Sequence, residues 1–556
     1  MDKKLRVGLL LDSVLLPAWG YTAIKRMVHS NCAEVALVIL PQGQQTKSNS
    51  VLRTFWQEPK HLLYRSFDAI DRKLFVRRAD ALAQVDATEI LSDLPVLEVK
   101  PVNVDDEQRF LASDVEEIRS HQLDILVKLG FEKLQGDILS AAHYGVWAYR
   151  WGDRRKIEDG LTGFWEVAGS WPETGAALQQ LGVEPEHNRT LFESWFFTYP
   201  YSPARSRNYV LWAAASFLPR QVERLHHLGE EKFFLRRDPG HLDDTSASLK
   251  SNSIPSNLAV LWIALKLAAR NLLQLYRRGF YREQWELLFH FGRDARTDIS
   301  TFKKIHPSTE EFWADPHVIY QEPNYYIFVE AFPYCTKRGH ISVIEMDQNG
   351  NCKQPIPILQ KDWHLSFPYV FNWKGRYYMI PESSENRTID LYEAVNFPYQ
   401  WQHKMTLMKN VKAVDTTVVF RHEKWWLFTA IAEQEAAAPQ VELFLFYSDD
   451  LFTDQWQAHP MNPIVSDVKR ARGAGSVFLQ DGKLFRPSQD CSKAYGYGFD
   501  LNEISVLSET EYCEGTITSV RPDPRKKMLA THTYARQGNL TVVDALTRRP
   551  KWAKPA

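Results

Sequence analysis

Over residues 1 to 229, apolar positions come in short unbroken runs separated by stretches of helical spacing. "LRVGLLLD" (5 to 12), "CAEVALVIL" (32 to 40) and "DILVKLGF" (124 to 131) read as strands buried on both faces, and "YTAIKRMVHS" (21 to 30) reads as a helix between the first two. Buried strands alternating with helices predict a parallel sheet covered on both sides, a doubly wound α/β domain. From residue 230 the composition turns polar, with "RRDPGHLDDTSASLKSNSIPSN" (236 to 257) as a linker. "NLAVLWIALKLAARNLLQLYRR" (257 to 278) is apolar but interrupted by Lys266, Arg270 and Asn271. Leu258, Leu261, Trp262, Leu265, Ala268, Leu272 and Leu275 repeat at helical spacing. This pattern predicts an amphipathic helix docked on a neighbouring domain, in preference to a transmembrane span or a membrane-surface helix.

From residue 300 onward the pattern changes to short strands with frequent turn residues, and one hairpin recurs. Its copies are "ADPHVIYQEPNYYIFVE" (314 to 330), "SFPYVFNWKGRYYMIPE" (366 to 382), "DTTVVFRHEKWWLFTA" (415 to 430) and "GAGSVFLQDGKLFRPSQD" (473 to 490), with Ile319, Phe371, Phe420 and Phe478 as equivalent positions. The interval of about fifty residues is that of propeller blades. A degenerate fifth copy, "KKMLATHTYARQGNLTVVDA" (526 to 545), gives five blades. The expected organisation is an α/β domain over 1–229, a linker and helical connection over 230–299, and an all-β five-bladed propeller over 300–556.

In a propeller, residues at the mouth of each inner strand converge on one axis. Asp315, Ser366, Asp415 and Arg472 precede the inner strands, and Glu330, Glu382 and the group Arg486, Gln489 and Asp490 follow the next. With Trp313, Phe367 and Tyr495 as an aromatic rim, they make a candidate sugar site. Glycoside chemistry needs one protonated acid and one ionised carboxylate, and crowded acids separate their pKa values to supply both. Asp315 is the expected base, Glu382 the acid and Asp415 the orienting or tuning group, while Glu330, Ser366, Arg472, Arg486, Gln489, Asp490 and Tyr495 would hold substrate. The bland alternative is that each acid merely satisfies loop amides.

The fragments "WADP", "SFPYVF…YYMIPES", "DTT", "RGAGSVF" and "LFRPSQD…YGYG" together resemble the propeller at the amino terminus of plant glucosamine inositolphosphorylceramide transferases, over about residues 300 to 550. More distantly they resemble glycoside hydrolase family 43. The resemblance implies carbohydrate binding or processing, and it places Asp315 at that hydrolase family's general base. Ser366 replaces its second-blade acid, and Asp415 stands in the third blade, where the family has a Glu. The first half, through "LRVGLLLDS…PAWGYTAIKRM" and "DILVKLGF…GVWAYRWGD", resembles the formyltransferase fold that uses 10-formyltetrahydrofolate. That family's Asn-x-His-x-Ser stretch is replaced here by Ala148, Arg150 and Gly152, and a guanidinium cannot serve as general base at neutral pH. Arg150, Arg154 and Arg155, with Asp153 and Glu166, would instead hold a phosphate or carboxylate. Arg205 and Arg207 in "YSPARSRN" add further cations without a distinct role.

Charge sharpens this picture. Sixty-seven Lys and Arg against 68 Asp and Glu leave a net charge of −1, so no global field recruits nucleic acid. The 18 Trp, 23 Tyr and 30 Phe suit either sugar platforms or aromatic blade cores. Five cysteines without a CxxC pair point away from a disulfide framework or zinc knuckle and toward a reducing, cytoplasmic setting. "MDKKLRVGLLLDS" reads as a strand rather than a signal peptide.

The leading expectation is an enzyme of glycan or glycolipid assembly that cleaves or transfers a glycosidic linkage without cofactor or metal. Its partners would be a sugar-containing molecule and, peripherally, a membrane surface. The alternatives are a folate-dependent amino-sugar formyltransferase with the propeller as acceptor module, and a non-catalytic glycan-binding scaffold.

Overall fold

The structure is a computed structural model and describes residues 3–43, 62–76, 79–104, 107–153, 161–184, 187–235, 255–292, 298–434 and 437–552. Most of the predicted linker, along with Arg154 and Arg155, lies outside these residues. The chain divides into two compact units, one of residues 1–270 with 434–437, the other of 271–433 with 438–556.

The first unit is built on a seven-stranded sheet in the order Arg189–Phe197, Glu173–Gln180, Val146–Trp151, Ile125–Lys128, Leu5–Leu10, Ala33–Pro41, Val96–Val99. The last five pair in parallel, and the first two add antiparallel at one edge. The apolar runs fill the parallel strands because both faces are covered, and Leu9, Leu10, Ile39, Leu126 and Val146 are fully buried. The strand order reverses at Leu5–Leu10, and the backbones there come so close that a Cβ on Gly130 would lie 2.3 Å from the Asp12 nitrogen.

Among the described residues, the second unit consists of five antiparallel sheets. Four follow in sequence over residues 311–359, 366–409, 413–466 and 478–520. The fifth joins Tyr281–Phe291 to Leu540–Pro550, flanked by Lys303–Ile305, Met528–Ala530 and Tyr534–Gln537. Each sheet shares an apolar cluster with the next. Phe328 and Met379 join the first to the second, Tyr369 and Leu427 the second to the third, Trp426 and Ile504 the third to the fourth, and Phe499 and Val543 the fourth to the fifth. Leu287, Val542 and Ile327 then return the packing from the fifth sheet to the first.

Two expectations are corrected here. Residues 281–291, assigned by sequence to the connection, are a strand of the fifth sheet. Their short run "YREQWELLFHF" follows a helix without a turn signal, and its partner lies about 250 residues downstream, beyond the reach of local pattern. The helix Asn257–Phe280 does form, but only Val260, Ile263 and Leu267 are buried. The seven positions that were to dock it face outward instead, because Phe164 and Val167 are covered by the narrower Ile263 and Leu267 stripe.

Candidate functional site

The site begins with an interruption repeated in three sheets. Pairing between the first two strands skips at Ala314/His317, Ser366/Tyr369 and Val414/Thr417, and the first of the two residues inside each bulge adopts a left-handed backbone: Asp315 (φ 52°), Phe367 (φ 43°) and Asp415 (φ 51°). Bulges re-aim side chains, and left-handed Asp is well tolerated, whereas left-handed Phe stores roughly 1–3 kcal/mol of strain. The equivalence corrects the expected register by one residue. Phe367, not Ser366, stands where Asp315 and Asp415 stand, and Val419 rather than Phe420 matches Ile319. Ser366 is buried opposite Glu382, just as Ala314 lies opposite Glu330.

Asp315 Oδ1 lies 3.1 Å from His532 Nε2 and accepts from Thr533 Oγ1, and its Oδ2 accepts from the Phe367 amide at 3.2 Å. On the far side of the imidazole, Asp544 Oδ2 lies 2.8 Å from Nδ1 and also accepts from the Asp315 amide, while Asp544 Oδ1 accepts from the His532 and Thr533 amides. Burial works against the charge on Asp315, but His532 and Arg472 outweigh it and hold the carboxyl down to about 2. Burial likewise opposes the imidazolium, and Asp544 with Asp315 outweighs it, raising His532 to about 10. The proton therefore rests on the imidazole, a buried cation between the carboxyl groups of Asp315 and Asp544.

A second cluster adjoins it. Arg472 Nε donates to Asp415 Oδ2 at 2.5 Å, and Nη2 reaches Asp415 Oδ1 and Glu382 Oε2, both at 3.3 Å. Gln489 Nε2 donates to Asp415 at 3.0 Å and to the Gly473 carbonyl. A Cβ on Gly473 would meet the Asp415 carbonyl at 3.0 Å, so glycine lets the two strands close around the carboxylate. Burial, then the charge of Asp415, pushes Glu382 well above the usual carboxylate range. Asp415 is also raised by burial, with Arg472 opposing. Of the two, Glu382 holds the proton, since it is less closely paired with the guanidinium. Glu330 is likewise raised by burial and by the charge of Asp315, and its Oε1 lies 3.4 Å from His364 Nε2. The Arg472 guanidinium lies 4.8 Å from the ring centre of Tyr495, which is exposed.

The structure thus gathers Asp315, Glu330, Glu382, Asp415, Arg472, Gln489 and Tyr495. It does not gather the rest. Arg486 is committed to both oxygens of Glu514 and to the Arg470 carbonyl, and Asp490 to Arg521 and Ser492. Trp313 and Phe367 are buried in apolar clusters and form no rim. In the first unit, Arg150 donates to the Gly152 carbonyl and pairs with Glu193 at 2.9 Å, and Asp153 and Glu166 are buried. Arg205 lies over Tyr199, and Arg207 pairs with Asp68.

His532, Thr533 and Asp544 were missed, although "THT" and "TVVDA" sit in the recognised fifth repeat. An Asp inside an apolar run was the available signal. Among the described residues, two groups offer ligand atoms within 4.8 Å of one another, Asp315 with His532 and Asp544, and Cys32 with His226 and His227. In the first group the protonated imidazole already supplies the positive charge between the carboxylates.

Residues 298–549 match the family model described as glucosamine inositolphosphorylceramide transferase 1, N-terminal, over the stretch for which the sequence suggested that resemblance. The chain is 37% identical over 206 residues to glucosamine inositolphosphorylceramide transferase 1 of Arabidopsis thaliana, covering 36% of this chain and 27% of that one. The protein of the same name from Oryza sativa subsp. japonica is 33% identical over 206 residues, with the same shares covered. The chain thus spans about a quarter of the length of these curated relatives. Among solved structures, a family 117 glycoside hydrolase, Zg3597 of Zobellia galactanivorans, aligns at 12% identity over 47% of this chain and 90% of that one, with a TM-score of 0.32.

Proposed function

We propose that the second unit is a five-bladed propeller whose central carboxylates process a glycosidic linkage, and that the chain acts in glycan or glycolipid assembly. The observation that carries this reading is the separation of two neighbouring acids, Asp315 held ionised by His532 and Glu382 held protonated by burial beside Asp415. In the proposed reaction the Glu382 carboxyl gives its proton to the leaving oxygen. The Asp315 carboxylate takes the proton of the attacking water or acceptor hydroxyl. Asp415, fixed by Arg472 and Gln489, keeps Glu382 protonated between turnovers. Glu330, with its raised pKa, donates a hydrogen bond to a sugar hydroxyl, and Tyr495 offers its exposed ring to the sugar face. The named relatives support a sugar attached to an inositolphosphoryl lipid as the substrate class.

The first unit is read as a formyltransferase-like, doubly wound domain without formyl-transfer chemistry. Arg150 stands where that reaction needs a base, and its guanidinium is held by Glu193. The proposed chemistry uses no cofactor.

The test is turnover by the purified full chain against nucleotide sugars and inositolphosphoryl glycolipids, with products separated by mass. Wild type should release or transfer a sugar, and Asp315→Asn and Glu382→Gln should each lower the rate by about a hundredfold or more. Sugar binding that survives both substitutions, with no turnover by wild type, would replace this reading with a binding scaffold.

A further inference from the structure

The helix Asn257–Phe280 has its polarity reversed relative to an ordinary surface helix. At about 100° per residue, Leu258, Leu261, Trp262, Leu265, Ala268, Ala269, Leu272, Leu273, Leu275, Tyr276 and Phe280 fall within one arc of roughly 160°. All of them are exposed, Leu258 at 80% and Trp262 at 69%, and the arc holds no charged side chain. Its inner cations are turned toward protein, with Lys266 Nζ donating to the Ala168 carbonyl at 2.8 Å and Arg270 donating to the carbonyls of Val167 and Pro200.

At the carboxyl end the arc continues into exposed rings. Tyr276 packs on Phe280 and Tyr281, and both of those pack on Trp552, which is 67% exposed. Arg277 and Arg278 project on either flank of the arc, and Lys551 Nζ donates to the Arg278 carbonyl. Among the described residues no carboxylate pairs with Arg277 or Arg278.

We propose that this face lies in the surface of a lipid bilayer carrying anionic headgroups. The Leu and Trp arc would sit among the acyl chains, the aromatic cluster at the headgroup level, and Arg277 and Arg278 on lipid phosphates. The helix is long and apolar enough to cross a bilayer by length and composition. It lies on the surface instead, because Ile263 and Leu267 pack on Phe164 and Val167, and a crossing would put Lys266 and Arg270 in the hydrocarbon. A second copy of the chain is the competing occupant. The unpaired cations beside the aromatic cluster favour lipid, since the helix holds no Asp or Glu and a second copy of it brings them no carboxylate in either orientation.

The experiment is flotation of the purified full chain with phosphatidylcholine vesicles, with and without about 30% phosphatidylserine, together with its mass by light scattering. Wild type should float as a monomer, with tighter binding to the anionic vesicles. Leu265→Glu with Leu272→Glu should lower the bound fraction at least tenfold on both vesicles. Arg277→Gln with Arg278→Gln should weaken binding roughly 25-fold on anionic vesicles and leave phosphatidylcholine binding in place. Hydrogen exchange of wild type provides a check that requires no variant, with amides of 258–276 slowed by anionic vesicles. Wild type that stays unbound to both vesicles, or a dimer dispersed by the Leu265 and Leu272 substitutions, would overturn the proposal. Neither result depends on sugar turnover.

Discussion

Replacing His532 with Gln removes the one cation between two buried carboxylates and leaves an amide of similar reach. The rise of His532 from 6.5 to about 10 corresponds to about 5 kcal/mol, and the fall of Asp315 from 3.8 to about 2 to about 2 kcal/mol. These describe one contact from its two ends and are not summed. The imidazole's value is larger because it also feels Asp544, and burial opposes the charge on both groups. Leaving both carboxylates uncompensated should cost about 3–5 kcal/mol in urea unfolding, or roughly 10 °C in melting temperature. The pH dependence carries the signature. A group raised on folding contributes fully below its unfolded value, so the His532 contribution should decline from about pH 6.5 and be gone as pH rises through 10. Asp315 behaves oppositely, contributing above about pH 4 and losing its share as pH falls through 2. Wild type should show the alkaline decline and His532→Gln should lack it, with partial recovery in His532→Gln/Asp544→Asn. A single variant within about 1 kcal/mol of wild type, or one that keeps the alkaline decline, would refute the reasoning.

Other outcomes follow from the same geometry. Because Glu382 must be protonated to act, turnover should fall as pH rises past its raised value, while Asp315 stays ionised down to about pH 2 and gives no acid limb above that, as a pH–rate profile will record. Arg486→Met should lose about 3–5 kcal/mol in denaturant titration, because it strands buried Glu514, yet should leave KM unchanged in folded protein. Gly475→Ala would put a Cβ 2.1 Å from the Tyr534 carbonyl at a φ of 143°, so a loss of about 4 kcal/mol or failure to express folded protein is expected.

The repeat was legible because each hairpin carries its own signal, a polar turn between two apolar strands. The exact bulge position was not. An inserted residue preserves composition while shifting register by one, so spacing alone equates Ser366 with Asp315, whereas the pairing of Ser366 with Glu382 places Phe367 in the bulge. Arg486 and Gln489 are only three residues apart on one strand, and the alternation that sends Gln489 to Asp415 sends Arg486 to Glu514. Sequence spacing named both and could not separate them. His532 and Asp544 act together across a hairpin inside the weakest repeat, where pattern gives least guidance. The long helix is legible in its own spacing, but which side faces the protein depends on Phe164 and Val167, about a hundred residues upstream.

The pairing of Tyr281–Phe291 with Leu540–Pro550 also sets a clock on biosynthesis. At about 5–20 residues per second, the ribosome needs roughly 12–50 s to travel between the two strands. Throughout that interval Leu287, Leu288 and Phe289 have no strand partner from the far end, and the four sheets emerging between them form a row with two open ends. Closure then joins contacts separated by about 250 residues, the kind of long-range pairing that slows folding and exposes edges to aggregation. Shortening the chain before Leu540 should therefore yield insoluble protein even though four of the five sheets are complete.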